Sequence, residues 1–376
     1  MLQGDAEYSK AYNYGLIISG GNGQTSQGTE SEIHNYGIIK SKSAGQNITN
    51  AKAVAYNYGI IENIGENGQF IKNGKGYNYG IIKNTSNYGQ RADKGTLYNY
   101  GVIENNGTSG QFIHDTAGGT AYNYGIIKNK GNYAINAGSI GQAYNYGVID
   151  FRNNATTNIF NGNVENNGLI ISNASNLGKL TLGKGNNNGV ILDSNLNFDS
   201  QYNSDVINLT NSGNINGTSD KIYYAKDKTA EFSANKLEKN VLTAVITKDN
   251  ETAFKYTGTD ELILKDTTVM GYFEGKGTGT LLELGKDKDL TLIDSKINAV
   301  VGVGSDVLDV TAVKLNGGNL TLAGEKSEVT GKIVGKGGVG YIAAGNNQSF
   351  NIEGNVTLKN DNEAKYGMSD KFTDVT

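Results

Sequence analysis

The chain has 376 residues and a net charge of −4, with 53 glycines and 23 tyrosines but no proline, cysteine or tryptophan. Without cysteine there are no disulfides and no thiolate metal sites, and no run approaches the roughly 18 apolar residues that a membrane-crossing helix needs. Asparagine and glycine abound while apolar residues are sparse for a single globular core, a composition that suits either a thin repetitive fold or disorder.

A repeat is already running near the start. Residues 12–17 and 34–39 are near-copies of the hexapeptide Tyr-Asn-Tyr-Gly-Ile-Ile, which appears in full at 56–61, 77–82 and 122–127. Further near-copies occupy 98–103 and 144–149, and weaker Asn-x-Gly-x-Ile copies stand at 166–170, 187–191 and 211–215. The repeat glycines, at 15, 37, 59, 80, 101, 125, 147, 168, 189 and 213, lie 21 to 24 residues apart. A fixed period in that range marks units that stack only on their neighbours. The Leu-x-x-Leu-x-Leu framework of leucine-rich repeats and the three-and-four apolar spacing of helical repeats are both missing. The expected fold is therefore all-β: a right-handed parallel β-helix (β-solenoid) with about 21–22 residues and three short strands per rung.

Alternation sorts the side chains by face, because residues two apart on a strand point the same way. Asn57, Gly59 and Ile61 share one face; Tyr56, Tyr58, Ile60 and Glu62 share the other. The weak copies keep Asn, Gly and Ile and lose both tyrosines, which assigns the first set inward. Stacked rungs then turn each position into a vertical file. Ile61, Ile82 and Ile103 belong to a dry apolar file, and Asn57, Asn78 and Asn99 to a file of amides that satisfy one another up and down the stack. Glycine supplies either room or a positive φ where the coil bends. Three residues after successive glycines stand Lys40, Glu62, Lys83, Glu104, Lys128 and Asp150, so the charge alternates at every rung and favours the correct register.

The regular rungs are expected over 1–217. Residues 20–28 and 107–119, rich in Gly, Ser and Thr, read as loops outside the coil. Residues 68–71 (Gly-Gln-Phe-Ile) return at 110–113, a doubled period of 42. Residues 218–258 break the pattern as an irregular insertion or boundary, in which 230–239 reads as a short amphipathic helix or an irregular rung. A looser continuation follows over 259–360, with a Leu-Thr-Leu strand at 180–182 recurring at 290–292 and 320–322 and as Val-Thr-Leu at 356–358. Residues 361–376 form a fraying tail. One coil of the whole chain would have about 17 rungs.

Chemistry is hard to find. His34 takes the place of the first tyrosine of a rung and reads as a variant of its file; His114 sits in a polar loop beside Asp115, with no nucleophile elbow for a triad. Glu62, Glu104 and Asp150 are two rungs apart with lysines between them, an arrangement that suits a neutral ladder better than a pair of glycan-cleaving acids. No metal, phosphate or cofactor motif is present, and the alternating charge denies nucleic acid a basic face. No catalytic residue, cofactor or metal is expected. The candidate ligand-binding surface is the paired tyrosine file, Tyr56, Tyr58, Tyr77, Tyr79, Tyr98, Tyr100, Tyr122, Tyr124, Tyr144 and Tyr146, since tyrosine joins an apolar ring to a polar tip. Mutual stacking that only stabilises the coil is the competing reading.

The Asn-x-Gly-x-Ile rungs resemble filamentous-haemagglutinin-type adhesins. The Tyr-Asn-Tyr-Gly-Ile-Ile form followed by Leu-Thr-Leu strands resembles passenger regions of large fusobacterial-type autotransporters of type V secretion. That resemblance implies a β-helix exported to the bacterial surface, where the family mediates adhesion and coaggregation with host or bacterial cells through a surface protein or glycan. It also implies an export signal and an outer-membrane barrel anchor. Neither is visible in the sequence, so the chain is expected to be a segment of a longer protein. The expected function is a non-catalytic adhesin passenger segment that binds or serves as a stalk. The alternative from another class is a glycan-cleaving β-helix, a polysaccharide lyase or phage tail-spike-like hydrolase.

Overall fold

In a computed structural model the chain is all-β, with one three-residue 3-10 turn, Leu177–Lys179, as the helical element among the described residues. The structure describes residues 2–335 apart from 5, 6, 117, 155, 174, 176, 199, 211, 212, 275, 276 and 303–307, and beyond them the strands 338–342, 352–354 and 358–360. Two compact units divide between Tyr202 and Asn203. Each is built of stacked parallel rungs, the second with an added antiparallel pair, Gly338–Ile342 and Ile352–Gly354; the nine-stranded sheet of the first unit and the five-stranded sheet of the second set the total among the described residues at about 14 turns.

In the first unit three parallel sheets form the sides of the coil. Sheet 1 contains eight strands from Leu2–Gly4 to Phe160–Asn161, sheet 2 eight strands from Lys10–Asn13 to Asn163–Asn166, and sheet 3 nine strands from Leu16–Ser19 to Val190–Leu192. The chain visits them in the order 1, 2, 3 and then climbs one rung. Register follows the repeat: Tyr77 pairs with Tyr56 and Tyr98, Asn78 with Asn57 and Asn99, and Ile82 with Ile61 and Ile103. Each hexapeptide thus ends a strand of sheet 2 with Tyr-Asn, turns the corner on Tyr-Gly and opens a strand of sheet 3 with Ile-Ile.

The interior of this unit is narrow and partly polar. Ile39, Ile61, Ile82, Ile103, Ile127, Ile149, Ile170 and Ile191 are fully buried in one file and belong to a core that also holds alanines and the sheet-1 isoleucines Ile48, Ile71, Ile113 and Ile135. Beside them runs the asparagine file, in which each Nδ2 donates to the Oδ1 of the next rung at 2.6–2.8 Å from Asn13 to Asn187. A second amide file lies on sheet 1: Gln46, Gln69, Gln90 and Gln111 each donate Nε2 to the Oε1 of the glutamine one rung earlier, at 2.6–2.9 Å. The same Nε2 groups donate across the coil to backbone carbonyls of Tyr56, Tyr77, Tyr98 and Tyr122, tying sheet 1 to sheet 2 within each rung. Buried amides are costly only when unpaired, and these pair without limit as long as the stack continues.

Sheet 1 corrects one expectation. Residues 20–28 and 107–119 are not wholly outside the coil: they contain the strands Gln24–Ser26 and Ser109–Ile113, whose side chains are buried. The corner glycines also resolve one alternative. None of Gly15, Gly37, Gly59, Gly80 or Gly101 has a positive φ. What they provide is room: a Cβ on Gly80 would fall on the carbonyl oxygen of Gly59 and against the Tyr58 backbone.

The second unit has larger, less regular rungs, with 24 to 28 residues separating paired Ala230, Phe254 and Leu282, and 28 to 30 separating Leu262, Leu290 and Leu320. Its core is built from Leu, Phe, Tyr and Val, with Tyr223, Phe254, Tyr256 and Phe273 fully enclosed. The Leu-Thr-Leu strands at 290–292 and 320–322 stack in one five-stranded sheet, joined by Leu262–Lys265, Lys236–Glu238 and Leu358–Asn360. Residues 222–256 are five strands joined by short turns, and 230–239 contains two of them, Ala230–Phe232 and Lys236–Glu238, in place of the amphipathic helix considered above. The longer rungs are why the turns number fewer than the 17 anticipated. Residues 361–376 lie outside the described residues.

Candidate functional site

The tyrosines stand on the outer side of the corner between sheets 2 and 3 in two adjacent files. The first is Tyr12, His34, Tyr56, Tyr77, Tyr98, Tyr122 and Tyr144; the second is Tyr14, Tyr36, Tyr58, Tyr79, Tyr100, Tyr124 and Tyr146. Within each file neighbouring ring centroids are 4.7–5.3 Å apart and the rings lie within 20° of parallel. Within a rung the two rings are 6.1–6.3 Å apart and again parallel. The strand spacing dictates this. At about 4.8 Å per rung a planar side chain repeated at one position has its neighbour at stacking distance.

Stacking decides what the surface offers. Between the ends of the files each ring face is covered by the ring of the next rung, which leaves ring edges toward the surface. Burial varies along the files. Tyr56, Tyr77 and Tyr124 are buried, Tyr79, Tyr98, Tyr100, Tyr122, Tyr144 and Tyr146 are half-buried, and Tyr58 is exposed, with 38% of its surface open. The open end of the range lies in the first rungs, where Tyr14 is 74% and Tyr36 45% exposed. A surface of stacked edges can accept and donate hydrogen bonds through phenols at regular spacing, but it cannot lay a ring face against a sugar.

Burial pushes the Tyr56 phenol up to about 12, with the nearby Glu32 carboxylate adding to the effect, and it raises Tyr58 and Tyr36 as well, with help from neighbouring phenols in the files. These three phenols therefore stay protonated across the physiological range. His34 holds its place as a ring, stacked at 4.7 Å on both Tyr12 and Tyr56, and its Nε2 meets Glu32 Oε2 at 2.9 Å. Glu32 also pairs with Lys10 at 3.0 Å. Burial works against the Glu32 charge, but the hydrogen bonds from His34 and Lys10 outweigh it and hold the carboxyl below its ordinary value.

No protein-family model, curated protein or solved structure matches this chain.

The charged file on sheet 3 is in register from Lys40 through Glu62, Lys83, Glu104 and Lys128 to Asp150. Lys40 and Glu62 close to 2.8 Å, and that contact holds the Glu62 carboxyl below its ordinary value. Asp150 instead takes both branches of Arg152, at 3.0 and 2.8 Å. The file begins with Ile18 and ends with Ile171 and Leu192, so its charges are bracketed by apolar side chains. His114 bonds to Thr116. Among the described residues no three His, Asp or Glu side chains gather in a way that could hold a metal ion.

One outward cluster was not anticipated. On sheet 1, Phe70, Arg91 and Phe112 occupy successive rungs, with the Arg91 guanidinium 5.1 Å from the Phe70 ring and 5.8 Å from that of Phe112. Tyr88 stacks on Phe112 at 4.2 Å, and Arg91 is neutralised by Asp93 at 3.0 Å. The doubled Gly-Gln-Phe-Ile period held the signal: phenylalanine recurs every second rung, and the intervening position must fit between two rings, which guanidinium does.

Proposed function

We propose that this chain is a non-catalytic binding and stalk segment of a bacterial cell-surface adhesin, of the autotransporter passenger type that its repeats resemble. The observation that carries the proposal is the division of labour in the first unit. The interior asparagine and glutamine files bond within themselves, while the outer corner repeats an aromatic motif over seven successive rungs. Such a surface can contact a partner at many equivalent points, each of them weak, which suits attachment to a protein or glycan on another cell. Acid–base chemistry finds little support by comparison, because Glu62 is tied to Lys40 and Asp150 to Arg152. A glycan-cleaving site needs a proton donor and a free carboxylate facing each other.

The test is attachment. Beads coated with the chain are presented to host epithelial cells and to bacterial partner cells, and compared with beads carrying Tyr58→Ser, Tyr79→Ser and Tyr100→Ser together. The expected result is capture by the native chain and a loss of about tenfold or more in the variant, with the far-UV signature of parallel β-structure retained. Equal capture by both would remove the tyrosine edge from the proposal and leave the stalk role alone.

A further inference from the structure

We propose that the chain self-associates through the outer face of its first rungs, two copies lying antiparallel on sheet 3 and its corner. The inference is independent of the adhesive reading above. Three neighbouring outward files meet on that face. The corner file opens with Tyr14, Tyr36 and Tyr58, at 74%, 45% and 38% exposure; the next opens with Leu16 and Ile38, at 57% and 37%; the third opens with Ile18, at 74%, followed by Lys40 and Glu62. Exposure falls along the same files: Ile60, Tyr79 and Tyr100 are half-buried, and Tyr124, Val148 and Ile171 retain 4% or less. On these files the apolar side chains with more than a third of their surface open all lie in the first three rungs. A contiguous patch of this kind on a protein surface usually marks an association site.

The charges decide the occupant and its orientation. A two-fold axis lying across sheet 3 between the second and third rungs sends each file onto itself with the rung order reversed. Lys40 then faces Glu62 of the second copy, and Glu62 faces its Lys40, forming two ion pairs across the contact. Tyr36 meets Tyr58, Ile38 meets Ile60 and Leu16 meets Ile81, while the alkyl stem of Lys83 covers Ile18. A parallel arrangement, with the axis along the coil, would set the tyrosine file against the charged one and lose the pairing. A second copy is therefore self-complementary in charge, because the sign alternates at each rung.

The three tyrosines expose roughly 300 Å², and the aliphatic side chains add to it. That remains well below the roughly 800 Å² per partner of a standard stable interface, so the dimer forms in a concentration-dependent way.

The experiment follows the mass of the purified chain, 40.0 kDa as a monomer, by sedimentation velocity from about 1 to about 100 µM. The native chain is expected to move from monomer to dimer across this range. Lys40→Glu places two acidic pairs across the contact and Glu62→Lys two basic pairs, so each variant alone should raise the dimerisation midpoint by about tenfold or more. An equimolar mixture of the two restores complementary pairs and should return the midpoint to the native value. A folding defect in either variant cannot be rescued by mixing, so the readout isolates the contact. A native chain that stays monomeric, a dimer indifferent to both reversals, or a mixture no tighter than its components would each overturn the proposal. So would a mixed complex whose midpoint ignores Ile18→Asp.

Discussion

Asn78 shows what a single buried amide does in this coil. Its Oδ1 accepts from Asn57 Nδ2 at 2.8 Å, and its Nδ2 donates to Asn99 at 2.8 Å and to the Val102 carbonyl at 3.2 Å. The asparagine file donates toward later rungs, whereas the glutamine file donates toward earlier ones. The carbonyls that each amide nitrogen faces fix these senses, so no member can flip alone. Asn78→Ala leaves a donor on Asn57 and an acceptor on Asn99 without their partner, at about 1–3 kcal/mol for each group so deprived. We expect a loss of about 2–4 kcal/mol in urea unfolding, against less than about 1 kcal/mol for the exposed Lys40→Ala. A comparable effect of the two would mean that the ladder contributes no more than the surface does. The Tyr56 phenol gives a second residue-scale outcome. An unfolded tyrosine ionises near 10, whereas this one ionises at about 12 in the fold. The unfolded state therefore releases its proton first, and stability holds below about pH 10 and falls between about 10 and 12. Tyr56→Phe should flatten that fall, followed by stability against pH alongside tyrosinate absorbance; an unchanged slope would remove Tyr56 as its source.

At the scale of the strand and its corner, room and pairing set what each position tolerates. Both the Tyr79 and Gly80 N–H groups donate to the Asn57 carbonyl of the preceding rung, at 2.7 and 2.9 Å, which draws the corner so close that no Cβ fits on Gly80. Gly80→Ala must push two rungs apart and should cost about 3 kcal/mol. Gly15 has the same place in the first rung, and nothing lies within 4 Å of where its methyl would stand, so Gly15→Ala should shift the unfolding midpoint by no more than about 0.5 kcal/mol. Equal costs at the two sites would refute close approach as the reason for the corner glycine. The inward face of sheets 2 and 3 was legible in the sequence because a file tolerates few residues and so repeats them: Asn57, Asn78 and Asn99, and Ile61, Ile82 and Ile103, lie inside. Sheet 1 was hidden because half of its inward face, beside Ile48, Ile71, Ala92 and Ile113, is glutamine, which a hydrophobic pattern scores as solvent-facing. Its signal was Gly-Gln recurring at 23–24, 45–46, 68–69, 89–90 and 110–111. Alternation alone gives the side of the strand on which a tyrosine lies; whether its ring face or its edge meets solvent depends on the rung spacing and on the rotamer its stacked neighbour imposes.

Across the whole chain, the two units differ in how strongly sequence dictates register. In the second, Leu, Phe and Tyr fill a wider core, rungs vary in length, and sequence showed only the Leu-Thr-Leu file; Lys236–Glu238 and Leu262–Lys265 belong to it without matching its motif. In the first unit a rung is an interchangeable block, and removing whole blocks tests this directly. Deleting 81–101 joins Gly80 to Val102, keeps the asparagine, glutamine and isoleucine files continuous, and sets Glu62 beside Glu104. Deleting 60–101 joins Gly59 to Val102, keeps the same files, and sets Lys40 beside Glu104. Both chains should retain parallel β-structure, since each rung contacts only its neighbours. They should differ in salt response. The single-rung deletion creates one like-charge pair, worth up to about 1 kcal/mol, or a lowering of about 2–4 °C in a unit of this size. At about 1 M salt the screening length falls to about 3 Å and the penalty should vanish. The double-rung deletion restores alternation and should lack that component, although it removes twice as many residues. Melting temperatures of the two variants at low and high salt are the measurement. If both respond to salt alike, the alternating file does not set register; if the shorter deletion alone recovers, charge alternation is what makes two rungs, not one, the natural unit of this coil.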